Sequence, residues 1–152
     1  MGRPIKRGLD SFTCDVDIFH DEKVVCISGE FGIKGEITIL HLLCAVYRNG
    51  YFILWDDNLK RMLATEMRLS EDLITQIVYR LVYYDFFDKR IFQEGVLTSR
   101  AIQRRYFAMA KRRQLSDDMP YLIDETQERE AKSLPAPQLP TLPVPPPYDL
   151  SY

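Results

Sequence analysis

The sequence predicts a mainly helical α+β domain followed by a disordered tail. Three observations carry that prediction. Apolar residues recur at helical spacing through most of residues 21–114, with short aromatic or β-branched runs between them. Seven of the nine prolines fall between Pro135 and Pro147, a composition that cannot bury enough surface to offset its ordering entropy. The chain has 152 residues, 46% apolar and 28% charged, enough for one domain whose core needs no metal or disulfide. The expected division is a domain over 1–123, its first twelve residues a basic arm, and a tail over 124–152, acidic and then proline-rich.

The elements follow in order. Asp21 to Glu30 reads as a short helix with Val24, Val25 and Ile27 inward and Gly29 or Gly32 near its end. Gly29, Gly32 and Gly35 lack the order of a dinucleotide loop and the setting of a GxxG nucleic-acid clamp, so they read as a helix-to-helix turn needing positive φ. A central helix then spans about Gly35 to Asn49. Ile33, Ile37, Leu40, Cys44 and Tyr47 step by 4, 3, 4 and 3, and Ile39, Leu43 and Val46 widen the stripe expected to face the core.

Tyr51 to Trp55 is an aromatic, β-branched strand signal. Asp56 caps a third helix ending near Met67, and Ser70 caps a fourth with Glu71 and Asp72 in its first turn. The fourth helix turns Leu73, Ile74, Ile77, Val78, Leu81 and Val82 inward, and Asp72, Thr75, Gln76, Tyr79, Arg80 and Tyr83 outward. Phe86-Phe87 and Val96-Leu97 read as two short strands joined by a wing-like loop carrying Asp88, Lys89 and Arg90. Thr98 or Ser99 caps a last helix from Arg100 to about Gln114. This order is that of a winged helix-turn-helix with a small three-stranded sheet, its fourth helix in the recognition position.

Charge limits the partners. The formal net charge is −2, but residues 1–113 carry 18 basic against 15 acidic groups, and residues 114–152 carry 2 against 7. A mildly basic body is compatible with a polyanion without demanding one. Cys14, Cys26 and Cys44 are odd in number and widely spaced, which fits a reducing compartment. No secretory leader or membrane-length apolar run is seen, so a soluble cytoplasmic protein is expected.

The last helix carries the sharpest signal. Six basic residues and no acidic one lie between Ser99 and Arg113. Arg100, Arg104 and Lys111 fall within about 40° on a helical wheel, with Arg105 and Arg112 at about 120–140° and Ile102, Tyr106 and Met109 behind. Cations on one rigid surface are what phosphate contacts require; a solvated helix end is the plainer alternative. Gln76 and Arg80 are the candidates for base contacts, while Tyr79 and Tyr83 equally fit a protein or oligomer interface. Lys89 and Arg90 in the wing, and Arg3, Lys6 and Arg7 in the arm, complete the candidate DNA-binding set.

Enzyme chemistry finds little support. His20 and His41 are the only histidines, and no catalytic triad, metal-ligand cluster or phosphate loop appears, so no metal or cofactor is expected. In the tail, Pro137 to Pro140 fits PxxP and Pro145-Pro146-Pro147-Tyr148 fits PPxY, patterns that arise easily in any proline-rich stretch.

A wider set of residues resembles a known family. Gly2-Arg3-Pro4-Ile5-Lys6-Arg7-Gly8-Leu9-Asp10, Phe31-Gly32-Ile33-Lys34-Gly35-Glu36, Tyr47-Arg48-Asn49-Gly50-Tyr51, Trp55-Asp56, Leu97-Thr98-Ser99 and Ile102-Gln103-Arg104-Arg105-Tyr106 carry the likeness. They resemble an N-terminal domain of unknown function in bacterial and phage replisome-organiser and DnaD-like proteins, over about residues 1–123. The resemblance implies a winged helix and a place in phage or mobile-element replication. Two departures stand out: Met67-Arg68-Leu69 and Asp85 occupy places where members often carry glycine. The functional expectation is a non-enzymatic, weakly sequence-specific duplex-DNA binder. The alternative is a protein–protein or self-association module within a replication complex.

Overall fold

A computed structural model describes residues 7–110 and 118–140. A 3₁₀ turn at Ile18–His20 leads into α1 (Glu22–Phe31), α2 (Ile33–Asn49), β1 (Ile53–Leu54), α3 (Asp57–Met67), α4 (Glu71–Tyr83), α5 (Lys89–Phe92), β2 (Val96–Leu97), α6 (Arg100–Ala110) and α7 (Glu125–Lys132). The caps explain the helix starts. Asp21, Asp56, Ser70 and Ser99 accept from the backbone N–H groups of Lys23, Leu59, Leu73 and Ile102 at 2.8–3.1 Å. Gly32, with φ of +64°, makes the tight α1–α2 turn.

α4 is the axis of the core. It buries Ile74, Thr75, Ile77, Val78, Leu81 and Val82 and packs against α1, α3 and α5. Thr75, expected outward, is buried because its hydroxyl donates to Glu71 O at 2.8 Å and so needs no water. β1 and β2 pair antiparallel, Ile53 with Leu97 and Leu54 with Val96. Tyr51, Phe87 and Tyr106 are fully buried around this pair.

Three further expectations are corrected. The sheet has two strands among the described residues, because the wing does not form. Asp88 accepts from Ile91 N at 2.9 Å and starts the single helical turn α5, while Phe87 turns into the core. Half of the stripe expected to bury α2, namely Ile33, Ile37, Leu40 and Cys44, is turned away from the core, while Ile39, Leu43, Val46 and Tyr47 are buried as expected. Ile33 is 80% exposed and Ile37 38%, whereas Gly35, Thr38, Ile39, Leu42, Leu43, Ala45, Val46 and Tyr47 are buried. The reason is close packing. A Cβ at position 35 would lie 2.7 Å from Ile27 Cγ2, and Thr38 satisfies its own hydroxyl on Lys34 O at 2.7 Å. A count of large apolar residues overlooks such a face.

The third correction concerns the tail. Its acidic part contains α7, whose start is a capping box between Asp124 and Gln127 and whose Ala131 is buried. Residues 135–140 have no regular structure. The PPxY stretch at 145–148 and the expected helical residues 111–114 lie outside the described residues. Arg68 and Asp85 adopt φ of 56° and 62°, the left-handed region glycine favours.

Candidate nucleic-acid interface

α6 is anchored from behind. Ile102, Gln103, Tyr106 and Ala110 are buried. The Gln103 amide donates to Tyr121 O at 2.8 Å and to Thr98 Oγ1 at 3.2 Å, and accepts from Ile123 N at 2.9 Å. Those bonds satisfy a buried amide and tie residues 121–123 to the helix. The Tyr106 hydroxyl donates to Arg7 O at 2.7 Å, and Leu9 N donates to Tyr47 O at 2.8 Å. The second half of the basic arm is therefore seated on α2 and α6.

Facing outward, α6 presents Arg104 and Arg105, both exposed, and half-buried Arg100. Arg104 takes no polar partner among the described residues. Arg105 pairs with Asp15 at 2.7 Å, with side chains 47% and 65% exposed. Arg100 pairs with Glu128 of α7 at 3.4 Å. Sequence inspection gives no sign of these counter-ions, which lie 90 and 28 residues away along the chain. Lys111 and Arg112, the other expected cations of this surface, lie outside the described residues, as do Arg3 and Lys6.

The remaining candidates are not gathered on this surface. Arg7 donates to Asp118 O at 3.0 Å and lies over the Phe52 ring at 5.3 Å. Lys89 is 9% exposed and pairs with Asp85 at 3.3 Å, and the Nε of Arg90 is buried. On α4, Gln76 is half-buried. Arg80 donates twice to Glu30, at 2.7 and 3.1 Å, and lies 4.1 Å from the Tyr83 ring centroid. The Tyr84 hydroxyl closes the cluster by donating to Glu30. These hydrogen bonds, Arg80's first, hold the Glu30 carboxyl below its ordinary range against a smaller opposing effect of burial. Tyr79 meets Phe92 edge to face at 5.1 Å, and Tyr83 remains 45% exposed.

Beside α6 opens a cavity of about 330 Å³, walled by Asp15, Lys23, Tyr47, Asp85, Arg105 and Glu128 among others. Burial pushes the Tyr47 phenol up to about 12. Among the described residues no His, Cys, Asp or Glu cluster is arranged to hold a metal ion, and no helix is long and apolar enough to cross a membrane.

Comparison with known proteins adds a family. The model of the Lin1244/Lin1753-like N-terminal domain matches residues 12–102. The chain is 30% identical over 130 residues to the uncharacterized phage-related protein Lin1244/Lin1753 of Listeria innocua serovar 6a. That alignment covers 84% of this chain and 43% of the relative, so the chain spans less than half of the relative's length. No solved structure matches.

Proposed function

Because the chain belongs to the Lin1244/Lin1753-like N-terminal domain family, we propose that it is a non-enzymatic DNA-contacting module of a phage-related protein, working in the cytoplasm during replication of phage or mobile-element DNA. Its fold reads as a winged helix of the DnaD-like kind in which a helical turn, α5, replaces one wing strand. In support, α2, β1, α3, α4 and β2 keep the winged-helix order, with α3 and α4 as the helix-turn-helix pair.

The contact is to phosphates rather than bases. The observation that carries it is the outer row of α6, where Arg104 stands open beside Arg105 on a helix locked from behind. An exposed pair such as Arg105–Asp15 contributes about 0–1 kcal/mol, so a phosphate can replace the carboxylate at little cost. Arg80 is not given a base-reading role, because Glu30 already takes its Nε and Nη2 donors in a bidentate pair. Arg100, Arg104 and Arg105 together neutralise about three phosphates, which sets the slope of log affinity against log salt at roughly −2 to −3. Changing Arg104 and Arg105 together to Ala should reduce that slope by about 2 and leave stability within about 0.5 kcal/mol. Duplex affinity no tighter than about millimolar at low salt would overturn the proposal.

A second reading, a protein-binding module, is favoured by one observation. Exposed Tyr83 carries Arg80 stacked across its ring, a fixed aromatic–arginine surface of the type enriched in protein interfaces. Under it, Tyr83→Ser abolishes partner capture and leaves duplex binding unchanged.

A further inference from the structure

α2 has two apolar faces, and the core uses one. The other carries Ile33, Ile37, Leu40 and Cys44, of which Ile33 is 80% exposed, Ile37 is 38% exposed, Leu40 half-buried and Cys44 exposed. Scattered surface apolar residues are ordinary, but these four form one row along a single helix. Met62 of α3, 38% exposed, lies one turn before Glu66, which bonds His41 of α2 at 3.1 Å, so it adds to the same side. A second apolar row on a helix whose first already packs into the core is a surface that a partner can cover.

The row also says what covers it. Its spacing of 4, 3 and 4 is the narrow seam of a coiled coil, whereas the core face of the same helix is broad. With Ile33 and Leu40 at d, and Ile37 and Cys44 at a, the β-branched residue stands at a and leucine at d in the central pair. That is the arrangement favouring two parallel strands. The flanking charges agree. Lys34, His41 and Arg48 occupy the three e positions, and Glu36 occupies a g position. An antiparallel pairing takes Glu36 away from the partner's His41. A parallel one sets Glu36 against the partner's His41, twice.

We propose that two copies of this chain associate through α2, packed in parallel along Ile33, Ile37, Leu40 and Cys44, with Glu36 of each copy facing His41 of the other. The dimer uses neither Tyr83 nor the outward arginines of α6. A two-fold pair of phosphate-contacting helices then raises the avidity for a duplex without any new contact on α6.

Sedimentation velocity over a micromolar concentration series, together with cysteine cross-linking, tests the proposal on the full chain. The wild type should move from monomer to dimer as concentration rises. With Cys14 and Cys26 changed to Ser, mild oxidation should give a covalent dimer through Cys44, since facing a positions can approach the roughly 6 Å Cα separation a disulfide requires. Ile33→Lys should weaken dimerisation at least about tenfold. Its side chain stands in water in the monomer, so the variant folds. Ile37→Glu should do the same more strongly. A chain that stays monomeric throughout would overturn the proposal. So would a dimer indifferent to Ile33→Lys, or one in which an Ile33→Cys variant cross-links to Cys44 of the other copy, the antiparallel outcome.

Discussion

α4 and α6 both present arginine to the surface, and they differ in what the rest of the chain brings to it. α4 opens with Glu71 and Asp72, and its Arg80 is held by Glu30, fifty residues away. α6 has no acid in its first turn, and its Arg104 meets no carboxylate among the described residues. The ion pairs leave Arg104 of α6 open, while Arg80 of α4 and the two other described arginines of α6, Arg100 and Arg105, each meet a carboxylate. A guanidinium's availability is decided by the carboxylates that other elements deliver, not by its own helix.

The strongest way to break this contrast is to unseat α6. Gly8 lies so close to the end of α2 that an added Cβ would stand 1.8 Å from Arg48 O. The neighbouring Arg7 carbonyl holds Tyr106, and Leu9 holds Tyr47. Gly8→Ala should therefore detach the 7–12 segment and cost about 2–3 kcal/mol in denaturant unfolding. Gly29→Ala, where no heavy atom lies within 4 Å, is the control and should stabilise by about 0.5–1 kcal/mol as a helix-interior substitution. Equal unfolding midpoints for the two would mean that the arm does not support α6.

The same contrast shows which parts of the molecule are legible in a linear sequence. The helices over Glu22–Phe31, Asp57–Met67 and Glu71–Tyr83 follow from local signals, namely an Asp or Ser cap and a run of apolar residues. α7 carries an equally local signal, the Asp124–Gln127 box, which the low apolar content of its surroundings hides. The rotation of α2 is not local. It is set by Gly35 and Thr38, whose small size and self-satisfied hydroxyl matter only once α1 and α3 are in place. Nor are the pairs of Arg80, Arg100 and Arg105 readable, since each joins elements far apart in the chain. The left-handed turns at Arg68 and Asp85 are not readable either, because neither residue is the glycine or asparagine that usually marks such a backbone.

A smaller effect sharpens the α4 side. Arg80→Gln should cost about 1 kcal/mol, as expected for a bidentate pair whose side chains are about a third exposed. The loss should depend on pH in a definite direction. Arg80 holds the native Glu30 carboxyl below its ordinary value of 4.5, so the unfolded chain takes up that proton more readily. The clamp therefore contributes above about pH 4.5 and fades as pH falls through the lower native value. Wild type and Arg80→Gln should converge in stability on the acid side. Arg104→Ala, with no carboxylate to release, should show no such convergence. Parallel pH profiles for wild type and Arg80→Gln would mean that Glu30 does not hold Arg80 in solution.

The smallest effect concerns the turns that fix α4 at both ends. Arg68, before it, and Asp85, after it, have φ of 56° and 62°. A left-handed backbone costs a residue with a Cβ about 1 kcal/mol, and glycine escapes that cost while losing more freedom on folding. Arg68 is exposed and its side chain makes no polar contact among the described residues, so Arg68→Gly should raise stability by a few tenths to about 1 kcal/mol. Asp85 differs, because its side chain pairs with Lys89 at 3.3 Å. Asp85→Gly relieves the same strain and breaks that pair, so the net change should lie near zero. Urea midpoints that rise for Arg68→Gly and stay level for Asp85→Gly would place the two turns as described. A lower midpoint for Arg68→Gly would show that the left-handed C-cap of α3, which sets the turn into α4, carries no strain for glycine to relieve.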